Sequence, residues 1–117
     1  EFLLDYLDNM SVYEKIRVNN QNYILVHSLP SDLQNKKNLN YQIEEVLFGR
    51  PDFTASWNQE DIYIIGHTPT FKIPGAVPGK IYRRNNLIDI DCGCVTGHAL
   101  CAYCIDTGEA FYEPVLI

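Results

Sequence analysis

The chain has 117 residues, 46% of them hydrophobic and 21% charged, a globular balance that supports one modest core and excludes both a disordered tail and a membrane-spanning protein. Fifteen acidic against nine basic side chains give a net charge of −6. That field repels phosphate backbones, which excludes nucleic acid as the expected partner and requires a local cation for any phosphorylated ligand.

The start, Glu1-Phe2-Leu3-Leu4-Asp5, carries neither the cationic region nor the long apolar stretch of a secretory signal, and no methionine. It reads as a point inside a longer protein. Over Phe2–Met10, Leu3, Leu7 and Met10 share a stripe with Tyr6 beside them, which predicts a short amphipathic helix. Val12–Val18 and Tyr23–His27 are β-rich runs on either side of Asn19-Asn20-Gln21-Asn22, a hairpin pattern in which asparagine tolerates positive φ.

A loop is expected over Pro30–Asn40, a short helix over Tyr41–Phe48 ended by Gly49, and an irregular stretch from Arg50 to Asn58. Ile62–Ile65 is a continuous apolar run, expected as a strand buried on both faces. Such runs fall far short of the roughly 20 residues that cross a bilayer. After a loop over Pro74–Gly79, short strands are expected at Ile81–Arg83, Leu87–Cys92, Ala99–Ile105 and Ala110–Tyr112, joined by turns into one antiparallel meander.

Two histidines stand where an apolar strand opens into a loop. His27 closes Tyr23-Ile24-Leu25-Val26, and His67 follows Ile64-Ile65-Gly66. The strand fixes the backbone, the glycine is expected to leave room for an ion and its substrate, and neutral imidazole is the commonest metal ligand.

The ordered set of an apolar strand plus His27, Phe48-Gly49-Arg50-Pro51-Asp52, Ile65-Gly66-His67-Thr68-Pro69-Thr70, Asn85-Asn86-Leu87-Ile88-Asp89-Ile90-Asp91-Cys92-Gly93-Cys94 and the run from Leu100 to Tyr112 resembles the C-terminal half of calcineurin-like metallophosphoesterases. It is most similar to bacterial serine/threonine protein phosphatases and symmetrical diadenosine tetraphosphatases, over about Val12–Tyr112. The resemblance implies a β-sandwich flanked by helices, with two divalent ions (Mn, Fe or Zn) activating water for in-line attack on phosphorus. His27 and His67 would be ligands of one of these ions, and Arg50 would hold the phosphate oxygens. The implied substrate is a phosphoprotein or a dinucleoside polyphosphate. The chain is then the α+β, β-rich half of that sandwich, mostly antiparallel with two short helices, its residues 1–117 forming part of one domain.

The departures are specific. The Gly-Asp-x-His, Gly-Asp-x-x-Asp-Arg-Gly and Gly-Asn-His-Glu blocks that supply the remaining ligands in that family do not occur in this chain, and His27-Ser28-Leu29 stands where relatives tend to have His-Ala-Gly. At most one weakly held ion is expected here. Uncatalysed phosphate monoester hydrolysis is so slow that enzymes supply up to about 10²¹-fold acceleration, whereas a positioned proton donor or acceptor contributes about 10² to 10⁴. The 117-residue chain alone is therefore expected to be inactive.

Cys92, Cys94, Cys101 and Cys104 offer a rival site, a structural zinc that would make the chain a binding module. Against it, Ala102 and Tyr103 provide no turn between the last two cysteines, and residues three apart on a strand face opposite ways. Without a secretory signal the thiols are expected reduced, in a cytoplasm. A metal-free interaction module is a further alternative. His98, after a glycine in a turn, is expected at the surface. Strand edges and apolar surface left by a missing half predict a homodimer, through a sheet edge or the first helix.

Overall fold

The computed structural model describes residues 1–32, 42–55 and 60–116. Part of the loop expected over Pro30–Asn40, Tyr41 and part of the irregular stretch to Asn58 lie outside them.

The elements in chain order are α1 (Phe2–Asp8), β1 (Tyr13–Val18), β2 (Gln21–Val26), α2 (Ile43–Phe48), β3 (Ile62–Ile65), β4 (Tyr82–Arg84), β5 (Leu87–Asp89), β6 (Ala99–Tyr103) and β7 (Ala110–Pro114), with short 3₁₀ turns at Thr70–Lys72 and Cys94–Thr96. Five strands form one sheet in the order β1-β2-β3-β5-β4, and β6 and β7 form a separate hairpin. The β1/β2, β4/β5 and β6/β7 pairings are antiparallel, while β2/β3 and β3/β5 are parallel. The α+β class with two short helices and mostly antiparallel strands is as expected.

The β1–β2 hairpin turns on two residues. Asn19 (φ 51°) and Asn20 (φ 65°) both adopt positive φ, the backbone that matches the right-handed twist of the flanking strands and that asparagine adopts at little cost. The turn is thus tighter than the four-residue segment from Asn19 to Asn22. The chain then crosses over through α2 to lay β3 parallel to β2. At the start of α2, Gln42 and Glu45 form a reciprocal capping box, with the Gln42 N–H donating to Glu45 Oε2 at 3.0 Å.

The expected single meander is corrected. β5 pairs with β3 through Tyr63–Leu87, Ile64–Ile88 and Ile65–Asp89, and β5 ends at Asp89 instead of running to Cys92. The reason is local. The Asp91 N–H donates to Asp89 Oδ1 at 2.9 Å, and the Gly93 N–H donates to Asp91 Oδ1 at 3.1 Å, so side chains take the donors that a further strand would have used. β6 therefore pairs with β7, and the N–H of its first residue, Ala99, donates back to the segment after β5, at the Cys92 carbonyl.

The parallel strands are buried, as expected of the Ile62–Ile65 run: Tyr63, Ile64 and Ile65 are all core residues. On one face Ile24, Val26, Tyr63, Ile65 and Leu87 pack with Leu29 and with Val46 of α2. Ile64 and Ile88 point to the other face, where the register puts them side by side.

Gly49, after α2, is fixed by space rather than by a left-handed backbone. A Cβ there would fall within 3.0 Å of the carbonyl oxygens of Glu45 and Leu29. The close approach is held by the Ser28 N–H donating to the Val46 carbonyl at 2.8 Å and by the Ser28 hydroxyl donating to the Gly49 carbonyl. Ser28 and Leu29, the pair that departs from His-Ala-Gly, are completely buried. Gly49→Ala should therefore push α2 away from the loop after β2 and destabilise the chain by about 1–3 kcal/mol in urea denaturation. A change below about 0.5 kcal/mol would mean that the two segments are free to separate.

Candidate metal and phosphate site

Because β2 and β3 are parallel neighbours, their C-terminal ends open on the same side of the sheet, the side where parallel-sheet proteins place ligands. His27 follows β2 directly and His67 lies two residues beyond β3. The Gly66 N–H donates to the His27 carbonyl at 3.0 Å, tying the two loops together. His27 Nε2 and His67 Nδ1 are 3.2 Å apart, with ring centroids at 5.0 Å and planes at 58°.

His67 is held in a strained backbone. Its φ is 67°, and the Thr68 N–H donates back to the Gly66 carbonyl at 2.8 Å, closing a three-residue turn with the histidine at its centre. A non-glycine residue there costs of order 1–3 kcal/mol and persists only where the surroundings impose it. Here the brace is Asp91, whose carbonyl accepts from the Thr70 N–H at 2.8 Å. Gly66 itself is not required by space, since an added Cβ would meet Asp91 Cβ at an ordinary 3.8 Å. The space beside Gly66 is therefore open enough to take a methyl group.

Arg50 joins the pair. It is exposed, and its Nη1 donates to the buried Thr68 hydroxyl at 3.0 Å. Sequence reasoning did not single out Thr68, although its place next to His67 was the available signal. Burial, the His27 imidazole and the Arg50 guanidinium all hold the His67 pKa below its ordinary value, against the Phe48 carbonyl and the Asp91 carboxylate. The ring is therefore neutral near pH 7, the form that binds metals. Phe48 stands edge-on to His67, with centroids at 6.3 Å.

Two imidazole nitrogens on one tetrahedral ion, each about 2.05 Å from it, lie about 3.3 Å apart. The observed 3.2 Å is a direct hydrogen-bonding contact between the His27 and His67 rings, and it is also close to the spacing that one shared ion would set. Among the described residues, no three His, Cys, Asp or Glu side chains group to hold a metal.

The four cysteines are dispersed in character. Cys92 is buried and its thiol is pushed up to about 12, first by burial and then by the neighbouring Cys101. Cys101 is half-buried and donates to the Ile90 carbonyl at 2.8 Å, Cys94 is exposed, and the Cys104 thiol is lowered by hydrogen bonds from Thr107. His98 follows Gly97 in a bend and keeps part of its surface exposed. It is half-buried and stacks on Phe71 with centroids at 4.6 Å and planes at 9°. No helix among the described residues is long and apolar enough to cross a membrane.

No family model matches this chain, and no curated protein matches it.

Proposed function

We propose that the chain supplies part of the centre of a metal-dependent phosphoester hydrolase, with His27 and His67 as ligands of one divalent ion and Arg50 as the phosphate-holding group. The observation that carries this reading is the 3.2 Å separation of two imidazole nitrogens on adjacent parallel strand ends, with a guanidinium beside them. When bound, the ion (Mn, Fe or Zn) supplies Lewis acidity to the phosphoryl oxygens and a hydroxide nucleophile at neutral pH.

The residues of this chain divide the remaining work. The strained turn at His67 aims its ring at His27. Thr68 engages one nitrogen of Arg50, leaving the rest of the exposed fork to accept phosphate oxygens in a planar, bidentate manner. The positive charge of that fork answers the requirement set by the net charge of −6. Ligands beyond the two imidazoles come from outside the described residues, and turnover of a phosphoprotein or a dinucleoside polyphosphate depends on them.

Calorimetric titration of inorganic phosphate into the manganese-loaded chain tests the arginine. Hydrogen bonds to charged groups contribute about 1.5–3 kcal/mol, so Arg50→Ala should weaken phosphate binding about 10- to 150-fold and leave manganese affinity unchanged. Arg50→Lys should restore only part of it, because a lysine keeps the charge and loses the fork. Equal phosphate affinity in wild type and Arg50→Ala would remove Arg50 from the site.

A further inference from the structure

Helix α1 has no buried residue. Phe2, Leu3, Leu4, Tyr6, Leu7 and Met10 are all at least half exposed, Phe2 at 85%. At helical spacing they occupy one broad side, with Glu1, Asp5 and Asp8 on the other. A seven-residue helix has too little intrinsic stability to persist uncovered, since isolated helices below about 12–15 residues are marginal in water. Where α1 leads into β1, the same chain presents an apolar groove of about 640 Å³ whose lining includes Met10, Val12, Leu25, Leu47 and Phe48, with His27 also on its wall.

We propose that α1 docks in this groove on a second copy of the chain, reciprocally, to give a twofold dimer. The area argues for a copy of the chain as the occupant. The five apolar side chains of α1 and Met10 just after it, together with Val12, Tyr13 and Phe48, are between 42% and 85% exposed. At roughly 100 Å² each they make up on the order of 900 Å² of apolar surface. That exceeds the roughly 300–600 Å² patch of a typical monomer and matches the roughly 800 Å² per partner of a stable interface. A twofold axis uses both features twice, helix into groove and groove around helix, as a self-complementary surface requires.

The free sheet edge at β1 is the weaker route. Twofold antiparallel pairing keeps each residue on its own face, so in the registers that pair most of the strand Lys15 meets either its own copy or Arg17. Like charges directly opposite are destabilising, and charged side chains are a common guard on edge strands.

Sedimentation equilibrium of the 117-residue chain at about 100 μM, where a micromolar interface is nearly saturated, should give the dimer mass. Leu3→Glu/Leu7→Glu on the helix, and separately Phe48→Glu or Val12→Glu in the groove, should each weaken dimerisation about 100-fold or more, because a charge is carried into an apolar contact. All four positions are exposed, so circular dichroism of each variant should match wild type. An equal mixture of Leu3→Glu/Leu7→Glu with Phe48→Glu keeps one intact helix-and-groove contact and should recover dimer. A wild-type monomer at this concentration overturns the proposal. So does an undiminished dimer in both groove variants, which would instead indicate helix-to-helix pairing, or an undiminished dimer in the helix variant, which would indicate the sheet edge.

Discussion

Between pH 4 and pH 7, Asp89→Asn should gain roughly 4 kcal/mol of stability relative to wild type. Asp89 is completely buried at the end of β5, opposite Ile65 of β3. One carboxylate oxygen accepts the Asp91 N–H, and the other has no hydrogen-bond partner in the protein. Burial pushes its pKa from 3.8 up to about 8. The Asp91 N–H works against the rise and the Asp91 charge adds to it. Between these two values the unfolded chain has released its proton and the folded chain keeps it, so the folded state binds more protons and stability falls as pH rises. The loss is about 1.36 kcal/mol per pH unit until the folded carboxyl itself ionises. Asparagine is neutral at every pH and keeps the acceptor for Asp91, so it escapes the pH-dependent penalty, while its buried amide N–H donors cost the same at both pH values. Against the 5–15 kcal/mol stability of an ordinary domain this is a large share. Urea denaturation of wild type and variant at pH 4 and pH 7 checks it. A stabilisation that is the same at both pH values would mean that Asp89 is ionised in the fold.

The second large effect concerns metal. If His27 and His67 share one ion, removing either leaves a single imidazole, and affinity for zinc or cobalt should drop by at least about 100-fold in His27→Ala and in His67→Ala alike. The two losses should not add, because the second substitution removes a ligand from a site already broken. Ligation requires the neutral ring, so affinity should weaken in acid. Because the His67 pKa lies below its ordinary 6.5, its share of that loss should begin at a lower pH than for an unperturbed histidine. A reversed order, with affinity rising as pH falls, would be incompatible with imidazole ligands.

The positions of the two histidines were legible before the fold. An apolar run ending in histidine tells where the chain leaves the sheet, and that alone placed His27 and His67 at strand ends. That the two ends adjoin depends on β2 and β3 being parallel neighbours, which a resemblance can imply and a single run of Ile and Tyr cannot. Strand partners were the weak point for the same reason. Leu87-Ile88-Asp89 looks identical whether it pairs with β3 or with β6, and side-chain capping by Asp89 and Asp91 ends the strand early. The same capping conceals Asp89. In Ile88-Asp89-Ile90-Asp91 either alternate set could face inward, and both Ile88 and Asp89 turn out to be buried. One glycine was read too simply. Gly49, read simply as a helix stop, is the one that space requires, whereas a methyl group would fit at Gly66. The left-handed turn at His67 left no mark in the sequence, because histidine adopts positive φ only where neighbouring contacts, here around Asp91, impose it.

The central claim is that two imidazoles, and not the thiols, hold the ion. Titration of the reduced 117-residue chain with cobalt(II), followed by visible absorption and X-ray absorption at the cobalt edge, reads the ligands directly. The account predicts about one ion per chain, two imidazole nitrogens in its shell, no sulfur-to-cobalt charge-transfer band, and loss of the signal in His27→Ala and His67→Ala. A strong charge-transfer band that survives both histidine substitutions and disappears in Cys92→Ser would contradict it, and would make the chain a zinc-type cysteine module instead.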